Sequence, residues 1–274
     1  MQLEDLQRCF NRALVHAIDR KKLMLASIVL AACGVLVVFC RGLALHAGGW
    51  VIMSLTFLPV FLSGGVLLST GILLIRVYHD EIKRIPVNFW STLTKSWEIV
   101  IGASYFAIPM ILGYLILWML LGIFILLREV PGLGEFMGVI LAFAPFLLNL
   151  GALLLCVVNL AVLFFVAPAV ALQGMNSFRL SNNLFERLRT DIFSNSLLWL
   201  TAALPLTVII LLLLTAMWMT EATYLMPTHT IAVVLQWFFI MIPFTTLLSP
   251  ALVFFFNFAA EAHVLMRKKQ SSES

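Results

Sequence analysis

Charge is what this sequence has least of. Only 11% of its 274 residues are Asp, Glu, Lys or Arg, while 62% are hydrophobic. Soluble domains carry about 25% charged and about 45–50% apolar residues. A soluble chain of this length would lack the polar groups to cover so much apolar surface, so a soluble globular fold is excluded. Disorder needs low hydrophobicity and high charge, and is excluded as well. Four cysteines are too few for a disulfide framework. Cys33 and Cys40 share a helix face, but two turns hold them about 10 Å apart, beyond disulfide reach. With Cys9 and Cys156 they read as small apolar residues.

Catalytic patterns are missing too. The chain has no Gly-x-Ser-x-Gly, no phosphate-binding Gly-rich loop ending in Lys, and no His-Glu-x-x-His. His16, His46, His79, His229 and His263 stand at no metal-ligand spacing. No metal or other cofactor is therefore expected. Glu261 and His263 come nearest to a reactive pair, and their position just past the last apolar run predicts that they face cytoplasmic water.

What the chain does have is long apolar runs. Residues 23–40, 51–75, 99–127, 136–166, 196–219 and 231–258 contain no Asp, Glu, Lys or Arg. A hydrocarbon core of about 30 Å needs roughly 20 apolar residues in helix, and backbone groups in lipid must bond within their own segment. Barrel strands would alternate polar and apolar residues instead. The fold class is therefore all-α: one polytopic membrane domain, 1–274, with six transmembrane helices. Without an acid or base inside the runs, proton or sodium coupling by a buried carboxylate is not expected.

Charge between the runs sets the orientation. Of the 17 Lys and Arg residues, all but Arg41 and Arg128 fall on the side that carries both termini. Basic loops stay in the cytoplasm, which places both termini there and predicts a bacterial-type inner membrane. The net charge of +4 then reflects topology at an anionic leaflet and calls for no nucleic acid. Arg41, Arg76 and Arg128 are expected at headgroup depth with their stems reaching outward. Trp50, Trp118, Trp218 and Trp237 near one set of run ends, and Trp90, Trp97 and Trp199 near the other, form an interfacial belt. The 22-residue stretch ahead of the first run includes Glu4, Asp5 and Asp19, unlike the short, acid-free start of a cleaved leader. Pro59, Pro109, Pro145, Pro205, Pro243 and Pro250 are candidate kinks, and Pro243 with Pro250 would break the last helix were a binding site there.

The basic side carries a repeated pattern. Residues 3–18, 86–97 and 180–193 each set apolar groups at helical spacing against charged ones. Leu3, Leu6, Phe10, Leu14, Ala17 and Ile18 form the first stripe. Each segment runs into an apolar run, and Pro109 and Pro205 lie at matching places after Phe89 and Phe185. Three cytoplasmic in-plane amphipathic helices, each followed by a helical hairpin, are expected, in a pseudo-threefold repeat of units about 1–78, 79–168 and 169–274. The stretch 164–205, with Pro168, Ser177 and Leu184, resembles the membrane domain attached to some glycerophosphodiester phosphodiesterases and related stand-alone bacterial six-span proteins. That resemblance implies the architecture. It does not imply the activity, because the soluble phosphodiesterase barrel has no counterpart here.

Polar residues within the runs complete the reading. Asn149, Asn159, Thr245, Thr246, Ser249 and Asn257 either pack helices together or line a polar pathway. The expectation is a non-enzymatic scaffold or partner subunit, with lipids, anionic ones at the cytoplasmic face, and other membrane proteins as partners. The alternative is a permease or facilitator for lipid-like or neutral small molecules.

Overall fold

A computed structural model describes residues 3–45, 47, 49–84, 94, 98, 101–102, 105–128, 130, 139, 143–173, 192–221 and 230–273. Their regular structure is helical: α1 (Leu3–Val15), α2 (Arg20–Ala44), α3 (Gly49–Ile82), α4 (Ile108–Arg128), α5 (Ala144–Gln173), α6 (Ile192–Glu221) and α7 (Thr230–Glu273). A 3-10 turn, His16–Ile18, joins α1 to α2, and another, Tyr105–Ala107, leads into α4. Among the described residues, α2 to α7 are the six helices long and apolar enough to cross a membrane. The expected segments 86–97 and 180–193 fall almost wholly outside the described residues.

Four helices make the centre. α2, α3, α5 and α7 contact one another in a closed ring, α4 lies on α3 and α5, α6 lies on α7, and α1 crosses the end of α7. Glycines permit two of the close approaches. A side chain at Gly71 would strike the Phe256 ring, and one at Gly34 would strike Met241. Both are places where α7 presses a large group against a bare backbone. At Gly64 an added Cβ would lie 2.8 Å from the amide of Asn159, so α3 and α5 also meet closely.

The core is concentrated at the α1 end. Every residue of α7 from 251 to 260 is buried, with Phe256 against α3 and Phe255 in ring contact with Phe164 of α5. Nearer its start α7 is open, and Ile231 and Phe239 are 75% and 65% exposed. α6 follows the same gradient: Leu198 and Ala202 are buried, whereas Leu211 and Trp218 are exposed.

Several helix limits differ from those expected. α3 and α7 continue past the runs 51–75 and 231–258 into charged sequence, because Glu81 and Glu261 there find partners on other helices. Pro109 and Pro145 stand in the first turns of α4 and α5. There a missing donor costs nothing, so neither interrupts its helix, whereas Pro205 lies inside α6. α7 is continuous through Pro243 and Pro250, so the alternative of a last helix broken there does not hold. Pro250 leaves the Thr246 carbonyl without its helical donor, and the Ser249 hydroxyl fills that place at 2.8 Å. Arg76 does not reach outward, since its Nε donates to the Ala171 carbonyl at 3.2 Å. Arg41 rests 4.9 Å over the Trp237 ring.

Candidate functional site

Among the described residues, ionisable groups gather most densely where α1, α2, α3 and α7 meet. α1 carries Leu6, Cys9, Phe10 and Ala13 along one face, and that face packs on the core. Phe10 meets Phe254 edge-on at 5.0 Å and Phe258 at 6.3 Å. The first stripe is therefore divided. Leu6, Phe10 and Ala17 turn to protein, while Leu14 and Ile18 stay exposed. An apolar face covered by α7 needs no lipid to cover it.

Around this contact lies a chain of polar links. Lys22, only 1% exposed, pairs with Glu81 and also donates to the His16 carbonyl at 3.2 Å. His16 Nδ1 is 2.9 Å from the other Glu81 oxygen. The Tyr78 ring stands between the two carboxylates. Lys22 Nζ lies 5.2 Å from its centroid, and its hydroxyl donates to Glu261 at 2.7 Å. Arg12 reaches the same Glu261 oxygen at 3.5 Å. Asn257, fully buried, donates from Nδ2 to the Ala13 carbonyl at 3.4 Å. Each carboxylate is thus pinned by a cation and a second group, and the links join α1, the 3-10 turn, α2, α3 and α7. Removing one partner of such a pair costs about 3–5 kcal/mol when both are buried; Glu81 keeps 31% exposure, which lowers the figure.

Glu261 and His263 correct an expectation. Neither faces open water: the Glu261 side chain is 11% exposed and His263 is buried. They turn inward because α7 is the central helix at this level. Cys9 is half-buried beside them, and burial pushes its thiol above the usual range, helped by Glu261 and opposed by Arg12. Among the described residues no three of His, Cys, Asp and Glu gather as metal ligands.

The six polar residues within the runs fall at several places in the bundle. Asn159 is buried at the α3–α5 interface beside Gly64. Thr245 is buried and its methyl group approaches Gly34 of α2, while Thr246 is exposed; both hydroxyls donate to the Ile242 carbonyl. Ser249 serves Pro250, and Asn257 holds α1. Asn149 lines a small open recess between α3, α4 and α5, with Ser54, Tyr114 and Trp118.

Lys22, Glu81, Tyr78 and Arg12 carried no signal in the linear order, because each pair is separated by tens of residues or more. One trace was available. Lys22 immediately precedes the apolar run 23–40, where an unpaired charge would be costly. No protein-family model, curated protein or solved structure matches the chain.

Proposed function

We propose that the protein is a multi-pass bacterial inner-membrane protein, with both termini cytoplasmic, acting as a non-enzymatic scaffold or partner subunit. The observation that carries this reading is the inward use of the charged groups at the α1 end. Glu81, Glu261, Lys22 and Arg12 bind one another and Tyr78, so their chemistry serves to fix helix ends. A partner then meets a stiff surface formed by those ends. The bias of Lys and Arg toward this end supports its cytoplasmic placement.

Segments 86–97 and 180–193 complete the reading as in-plane helices leading into the next spans, as α1 leads into α2. On this reading the three amphipathic segments form a pseudo-threefold repeat like that of the phosphodiesterase membrane domain. Other membrane proteins and anionic lipids are the partners, and neither nucleic acid nor a cofactor takes part. The recess beside Asn149 favours a second reading, a facilitator for lipid-like or neutral small molecules.

Isolation of the tagged chain in mild detergent separates the two. The partner reading expects a second membrane protein at fixed ratio. Isolation of the chain alone, with vesicle uptake of a neutral solute that Asn149→Leu abolishes, would replace it with the facilitator reading.

A further inference from the structure

The pairing of Lys22 with Glu81 brings the start of α2 beside the end of α3. Four more cations stand at this corner: Arg20 and Lys21 precede Lys22, and Lys83 and Arg84 follow Glu81. All four are exposed, and among the described residues none of them forms an ion pair. The nearby acids are Asp19 and Asp80, and Asp80 faces His79 at 3.7 Å. The corner is net positive although its central pair is neutral.

The surface below the corner is apolar. Met24 and Ile28 follow Lys21 at helical spacing along the exposed stripe of α2, at 65% and 60% exposure. Val15 and Ile18 add exposed apolar groups from α1 and its turn, at 74% and 70%. Cations therefore cap a stripe that enters the hydrocarbon. An anionic phospholipid has the same two-part form, a phosphate at the headgroup plane and acyl chains beneath.

We propose that Arg20, Lys21, Lys83 and Arg84 bind the phosphate of one anionic phospholipid in the leaflet beside α1, with its chains along Met24 and Ile28. The four cations, unpaired among the described residues, supply the charge, and the half-buried Lys22–Glu81 pair holds the two helix ends at fixed spacing. A fixed array loses less freedom on binding than mobile side chains on separate loops. The inference rests on the chain being a membrane protein, and is independent of what it assembles with.

Native mass spectrometry of the full chain in neutral detergent, with equal amounts of phosphatidylglycerol and phosphatidylcholine, tests it. Wild type should retain phosphatidylglycerol at least about tenfold over phosphatidylcholine. Arg20→Gln with Lys21→Gln, and separately Lys83→Gln with Arg84→Gln, should each reduce that preference several-fold. Their melting in phosphatidylcholine should stay unchanged, because no ion pair among the described residues is removed. Arg41→Gln, at the other end of α2, should leave the preference intact. Inorganic phosphate at equal concentration should not displace the lipid.

An unchanged preference in both double variants would overturn the site. An equal loss in Arg41→Gln would reduce it to general surface charge. Displacement by inorganic phosphate would identify a free anion as the ligand. Loss of the preference while a co-isolated partner remains would leave the scaffold reading standing, which keeps the two ideas separable.

Discussion

Gly71 sets how close α3 and α7 approach. Its missing side chain is occupied by the ring of Phe256, which is fully buried. A Val here must displace that ring in a filled interior, and overpacking of this kind costs about 1–3 kcal/mol. Gly71→Val should therefore lower the thermal midpoint of the detergent-solubilised protein, and Phe256→Leu in the same chain should recover part of the loss. Additive effects of the two changes would show that they do not share the space. Cys9 offers a second test. Its raised value keeps the thiol protonated near the ordinary 9.0, so alkylation in the folded protein should lag behind the unfolded chain at pH 9 and accelerate only above it. The linked stability has the same sign. The folded state holds the proton more tightly, so the contribution is complete below 9.0 and fades as pH rises past it.

At the scale of the element, α1 depends on α7. Phe10→Ala removes edge contacts to two rings, and with the lost burial this should cost about 1–3 kcal/mol. Trypsin should then cut at Arg8 or Arg12 more readily, while Leu14→Ser, on the exposed side, should leave protection unchanged. Equal sensitivity in both variants would mean that α1 is held from its other face. That α1 is a helix was legible from Leu6, Phe10 and Ala17. That its cover is Phe254 and Phe258 was not, because periodicity identifies a face and never its partner. For the same reason α3 looked complete at residue 75. A charge following an apolar run reads as the water boundary, and only the tertiary structure supplies the Lys22 that carries the helix on to Ile82. The proline at 250 left both a kink and a break open in the sequence, and the structure shows the Ser249 hydroxyl taking the place of the missing donor.

For the whole molecule, six spans were readable because lipid imposes a length and a composition on each. Distant pairing leaves no such mark, and the polar links at the α1 end had to be found in three dimensions. Orientation has a direct check. A reporter active only outside the cytoplasm should be silent when fused after Ser274 and active when inserted near Gly132 or Thr223, and activity at Ser274 would reverse the assignment.

The uneven burial of α7 has a mechanical consequence. Between residues 251 and 260 it is gripped on all sides, whereas Phe239, Ile242 and Leu247 are exposed. Bilayer tension or a change of acyl-chain length acts on the exposed half without matching resistance from neighbours, while the gripped half stays fixed. Pro243, within the exposed half, and Pro250, at its border with the gripped one, each remove a backbone donor from the stretch around them, although the Ser249 hydroxyl takes up the Thr246 carbonyl. The bundle is therefore a cantilever, anchored at the α1 end, with its compliance concentrated in that short stretch of one helix.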